Sequence, residues 1–114
     1  MTIDYASLSV DAEGYLEDLS VWTPEIAGVM AHHESRILTL GHWEIIDVVR
    51  AFYDRFELVP AMRPLVKAVR VALGEDKGSS MYLMSLFPES EQRQESPAKI
   101  VARLAGLPRP TNCH

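Results

Sequence analysis

The sequence predicts a mainly α protein: a compact bundle of about five helices, with a small N-terminal β-hairpin and an extended C-terminal arm. Three observations carry this expectation. Thr23-Pro24 and Ser96-Pro97 each join an N-cap hydroxyl to a proline at the first helical position, a strong local start signal. Trp43, Ile46, Val49, Phe52, Tyr53 and Phe56 recur in steps of three and four, which places them on one helix face. Pro108 and Pro110 bar a helix from the last residues and favour an extended arm.

At 114 residues the chain has the size of one domain. The expected division is a single helical domain with its hairpin over 1–106 and a flexible arm over 107–114. In the first segment Ile3, Tyr5, Leu8 and Val10 alternate with polar residues, and Asp11-Ala12-Glu13-Gly14 is a turn signal, hence the hairpin. The first helix starts at Thr23-Pro24-Glu25 and runs to about Glu34, with Ile26, Val29 and Met30 at helical spacing. Thr39 caps the second, which Val59-Pro60 ends. Pro60 opens a third with Met62, Leu65, Val66, Val69 and Leu73 inward, closing at Gly74. Ser79 to Phe87 forms a fourth, stopped by Pro88. Glu89–Glu95 is polar and aperiodic, a surface loop. The fifth helix follows Ser96-Pro97, buries Ile100, Val101 and Leu104, and stops at Gly106. Trp22, Trp43 and Tyr53 are read as core.

Composition narrows the function classes. The chain is 47% hydrophobic and 24% charged, as a folded globular domain is. No apolar run approaches the roughly 20 residues of a membrane span. Met1-Thr2-Ile3-Asp4-Tyr5 lacks the basic start and apolar block of a signal peptide, so a cytoplasmic protein is expected. The net charge of −5 divides into −8 over residues 1–59 and +3 over 60–114. That balance argues against nucleic acid, which needs a dominant basic face. The two helices around Pro60 suggest a helix-turn-helix, but the acidic first half opposes direct DNA binding.

Chemistry points to the chain end. Cys113 is the only cysteine, which excludes an internal disulfide and any multi-thiolate zinc site. A cysteine beyond a Pro-x-Pro arm is poorly placed to fill a core and well placed to enter another protein's active site. At about 3.1 Å per residue, Leu107 to Cys113 would reach roughly 20 Å if released. His32-His33-Glu34 lacks the HExxH spacing that sets two imidazoles on one helix face, and His42 is read as a local capping partner. No metal site and no cofactor are expected. Arg50, Arg63, Lys67, Lys77 and Lys99 recur on otherwise apolar helices; they are exposed stems or, if clustered near the arm, positioning groups for a partner.

With these residues in place the chain resembles the TusE/DsrC family. The match runs in order through Asp11-x-Glu13-Gly14-Tyr15-Leu16, Trp22-Thr23-Pro24-Glu25, His42-Trp43-Glu44, Arg50-x-Phe52-Tyr53 and Pro60-Ala61-Met62-Arg63. It continues through Leu65-Val66-Lys67, Lys77-Gly78, Tyr82-Leu83, Leu86-Phe87-Pro88, Pro97-Ala98-Lys99 and Ala105-Gly106-Leu107-Pro108-Arg109-Pro110, to the penultimate Cys113. Met81 stands where the family usually has arginine, the 89–95 loop is longer, and His114 replaces an apolar final residue. The resemblance implies a sulfurtransferase without stand-alone turnover, whose Cys113 carries sulfane sulfur as a persulfide. Pro108, Arg109 and Pro110 would shape the arm, and Arg63, Lys67, Lys77 and Lys99 would position a partner.

The family has two branches. DsrC-type proteins work with dissimilatory sulfite reductase and carry a second cysteine eleven residues before the penultimate one; that position here is Ala102. The single-cysteine TusE branch takes sulfur from a TusBCD-like donor complex. It works with an MnmA-like thiouridylase in 2-thiolation of the tRNA wobble uridine. The sequence therefore points to the TusE branch, with a DsrC-like protein lacking the second cysteine as the alternative.

Overall fold

The computed structural model describes residues 3–110. It contains five α-helices among those residues: α1 Pro24–His33, α2 Leu40–Phe56, α3 Met62–Leu73, α4 Ser80–Leu86 and α5 Pro97–Leu104. Each of the anticipated helices is present. The hydroxyls of Thr23, Ser79 and Ser96 accept hydrogen bonds from the amides of Ile26, Tyr82 and Lys99, so three starts rest on side-chain caps. At the head of α2, Thr39 and His42 form a reciprocal capping box. The Nδ1 atom of His42 accepts from the Thr39 amide at 3.0 Å, while Nε2 donates to the Leu86 carbonyl at 2.7 Å. His42 is therefore a structural joint between α2 and α4.

The end of α1 sets the position of Glu34. Ser35 sits at φ 59°, its amide reaches the His32 carbonyl, and the Arg36 amide reaches Ala31. This is a Schellman closure with serine at the position glycine usually takes.

The N-terminal hairpin is not formed as expected. Residues Tyr5–Ser7 and Leu19–Val21 are single 3₁₀ turns, and strand pairing is reduced to one antiparallel bridge, Val10 to Leu16. Its turn is as anticipated: Asp11 Oδ1 accepts from the Glu13 and Tyr15 amides, and Gly14 takes φ +89°. The alternation ahead of it fails as a strand because no partner lies alongside; Tyr5 instead stacks on His33 of α1, ring centroids 3.6 Å apart.

Helix α5 is the centre of the bundle, packed against α1, α2, α3 and α4. Pro97, Ala98 and Ile100 through Leu104 are all buried, so the helix has almost no solvent face. Its partners supply Met30, Ala31, Ile45, Ile46, Val49, Leu65, Val69 and Leu83.

Of the stripe on α2, Ile46 and Val49 are buried, together with Ile45 outside it, but its end is not. Trp43 and Tyr53 pack only partly against the core, and Phe56 is 49% exposed. The reason is length. At about 1.5 Å per residue α2 is about twice as long as α5. The tail of α5 meets α2 at Arg50, leaving Phe52 and Phe56 to line an open groove with Ala68 and Val71 of α3. No described helix is long and apolar enough to cross a membrane.

Candidate functional site: the root of the C-terminal arm

Cys113 lies outside the described residues, and the segment toward it is described as far as Pro110. The last carbonyls of α5 are met by two side chains from elsewhere in the chain. Trp22 Nε1 donates to the Leu104 carbonyl at 2.9 Å, and Arg50 Nη1 donates to that of Ala105 at 2.5 Å. The Arg50 guanidinium lies 3.9 Å from the Trp22 ring centroid, so the two donors also hold each other. Helix ends buried without such partners would leave orphaned carbonyls.

Gly106 then turns the chain at φ +72°. A Cβ there would lie 2.2 Å from Trp22 Cδ1, so both the backbone angle and the contact require glycine. The Leu107 amide returns to the Ala102 carbonyl at 3.0 Å, and the Leu107 side chain is 3% exposed. Pro108 is exposed and Pro110 is buried, so the arm as far as Pro110 is seated on the body.

Arg109 crosses to the N-terminal turn. Its Nη2 is 3.3 Å from Asp11 Oδ2 and its Nη1 is 3.4 Å from Glu13 Oε1, with the guanidinium 5.4 Å from the Tyr15 ring centroid. Tyr15 is 2% exposed and its hydroxyl donates to the Lys99 carbonyl at 3.2 Å. Burial pushes the Tyr15 hydroxyl up to about 12, against the opposing pull of the Arg103 charge.

Beneath that turn is a buried ion cluster that the sequence reading did not single out. Arg103 is 1% exposed. Its Nε and Nη2 donate to the two Glu34 oxygens at 2.8 and 2.9 Å, and Nη1 and Nη2 donate to Glu95 at 2.5 and 2.9 Å. Arg36 adds a bond to Glu34 at 3.0 Å. Burial raises the Glu34 carboxyl, but the hydrogen bonds and charge of Arg103, helped by Arg36, hold it below the usual range. Burial likewise lowers Arg103, and its two carboxylates more than reverse this. Glu34, part of the dismissed histidine motif, and Glu95, part of the polar loop, are thus structural anions. The sequence signal was an arginine inside the otherwise apolar run Ile100–Leu107.

The other cations are dispersed. Lys77 pairs with Glu44 at 2.8 Å, and Glu44 and Lys67 both line the α2–α3 groove. Arg63 is exposed in the first turn of α3, while Lys99 lines a separate cavity with Met62 and Glu95. Of the cations named in advance, Arg50 and Arg109 are the two that touch the arm or its root. Among the described residues no three His, Cys, Asp or Glu side chains gather as metal ligands.

The described residues form a small helical domain whose last segment is clamped at its root by Trp22 and Arg50 and fastened by Arg109 to the turn at Asp11 and Glu13. The chain matches the family model described as DsrC like protein over residues 2–114 and belongs to that family. It is similar to "Sulfurtransferase TusE" of Sodalis glossinidius, 44% identical over 113 residues that cover 99% of each chain. Among solved structures it is similar to Allochromatium vinosum DsrC, with TM-score 0.82 and 45% identity over 99% of this chain and 97% of that one. It is also similar to DsrC of Archaeoglobus fulgidus, the oxidized gamma-subunit of the dissimilatory sulfite reductase. There the TM-score is 0.74 and the identity 33%, over 94% and 92% of the two chains.

Proposed function

We propose that this protein is a sulfur carrier of the TusE type, with Cys113 as the residue that bears the sulfur. The observation that supports this most is the full-length likeness to proteins named Sulfurtransferase TusE in a chain with one cysteine. In the proposed step the Cys113 thiolate attacks the terminal sulfur of a donor persulfide. A new S–S bond forms on Cys113, the donor's S–S bond breaks, and the donor leaves as thiolate. The reverse logic at the acceptor hands the sulfur on. No external oxidant or reductant enters, since sulfane sulfur is transferred with its oxidation level unchanged. Thiolate is the reactive form, so the rate follows the ionised fraction and its access.

The donor in this reading is a TusBCD-like complex, and the acceptor an MnmA-like thiouridylase acting on tRNA. Ala102 favours it over DsrC-type chemistry. The position is fully buried in α5 and offers no second sulfur, so the chain cannot close a disulfide or trisulfide on itself. A second reading, a DsrC-like partner of sulfite reductase, is favoured by the 45% identity to the Allochromatium protein. Reconstitution with a labelled persulfide donor distinguishes the two. Label reaching 2-thiouridine in tRNA supports the first reading; a stable complex with sulfite reductase and no label in tRNA overturns it.

A further inference from the structure

The strap made by residues 107–110 has one charged fastening, and it is exposed. Arg109 and its partners Asp11 and Glu13 are all about one-third to one-half accessible, at 48%, 36% and 46% of their side-chain surfaces. The remaining attachments carry no charge pair: Leu107 is buried with its amide on the Ala102 carbonyl, and Pro110 is buried. We propose that Arg109, held by Asp11 and Glu13, is a positioning residue: a salt-releasable latch that sets how far the thiol can reach. This rests on the sulfur-carrier reading for its purpose, though not for its test.

The argument is one of chain length. With Pro110 seated, Cys113 is three residues from a fixed point and cannot lie more than about 11 Å from it, at most ~3.6 Å per residue. Freed from Leu107 onward, the arm extends over roughly 20 Å at about 3.1 Å per residue. A fastening between these states must be weak to be useful, and an exposed ion pair is weak. Asp11 is suited to the task because its two oxygens are divided. Oδ1 accepts from the Glu13 and Tyr15 amides and holds the turn, while Oδ2 faces Arg109. The anion is thereby held in place by its own backbone, and the arginine is the part that moves. A partner that offers Arg109 a carboxylate of its own would draw the strap off the body.

The single cysteine makes the test direct. A nitroxide attached to Cys113 in the full chain reports a mixture of slow and fast components for docked and released arm. Glu13→Gln with Asp11→Asn keeps the turn's amide acceptor and removes the charge; Arg109→Gln removes the other side. Each is expected to raise the mobile-to-immobile ratio about two- to fivefold, the range for one or two exposed pairs. Raising NaCl from about 0.05 to about 0.5 M should do the same in the unsubstituted chain and have no further effect in the variants. Arg109→Lys should retain part of the salt response, and the thermal midpoint should change little in any of them. An unchanged ratio in Arg109→Gln, or the same salt response in all chains, would overturn the latch. Neither result depends on whether Cys113 accepts sulfur.

Discussion

The Arg50 guanidinium carbon lies over the Trp22 ring, 3.9 Å from its centroid, and the two side chains cap successive carbonyls at the end of α5. One comes from α2 and the other from the segment before α1. The root of the arm is therefore built by three distant parts of the chain. Its orientation is set before the extended residues begin.

This pair should behave as a unit. Trp22→Phe keeps the aromatic face but leaves the Leu104 carbonyl without its donor, a loss of about 1–3 kcal/mol. Arg50→Ala should cost a similar amount through the Ala105 carbonyl. Because each holds the other, the double variant should fall short of the sum by more than about 0.5 kcal/mol in urea unfolding. Strict additivity would mean that the stacking is incidental.

Gly106→Ala places a methyl group 2.2 Å from Trp22 Cδ1 on a backbone at φ +72°. The left-handed angle alone costs about 1–2 kcal/mol, and Trp22 must move besides. We expect a loss of more than about 2 kcal/mol, with a change in tryptophan fluorescence measured in a Trp43→Phe background. Native-like emission with unchanged stability would show that the root tolerates a side chain.

The Arg103 cluster is the structural centre of the region beneath the arm. Arg103→Met leaves the Glu34 and Glu95 carboxylates with only Arg36 at 3.0 Å and Arg93 at 3.7 Å for cations, and should destabilise by about 3–5 kcal/mol at neutral pH. Adding Glu34→Gln and Glu95→Gln to that variant should recover most of the loss. If the three substitutions together remain as unstable as the first, packing and not charge accounts for the effect.

The same cluster sets the acid response. Glu34 titrates lower in the folded state than in the unfolded chain, whose value is about 4.5. Its contribution is therefore complete above about pH 4.5 and is lost as pH falls toward and through the lower folded value. Tyr15 has the opposite sense: raised from 10.0 to about 12, it stabilises fully below 10 and progressively less as pH rises toward 12. Denaturation midpoints should accordingly fall on both sides of a neutral plateau. In Arg103→Met the acid-side loss should shrink or reverse, since the buried carboxyls have then lost the cation that chiefly favours their ionised form.

Much of this was legible in the sequence, for local reasons. Thr23, Ser79 and Ser96 cap helices through bonds three residues away, and Gly106 ends α5 by a backbone angle that only its neighbours impose. The histidine at 42 was readable as a cap partner on the same ground. What was not legible depends on distance along the chain. Glu34 meets Arg103 from 69 residues away, Arg50 meets Ala105 from 55, and Arg109 meets Asp11 from 98. Composition marks these residues as polar and no spacing rule pairs them. The N-terminal alternation misled for the converse reason. Period-two patterning describes a face, but a strand also needs a partner, and Ile3 to Val10 has one only at its last residue.

The central claim is that Cys113 carries sulfur. Intact mass spectrometry after incubation with a cysteine desulfurase and its relay tests it most directly. The unsubstituted chain should gain about 32 Da, the mass of one sulfur atom, reversible by reductant and absent in Cys113→Ser. No adduct under conditions that load a TusE protein, or an equal adduct on Cys113→Ser, would contradict the account.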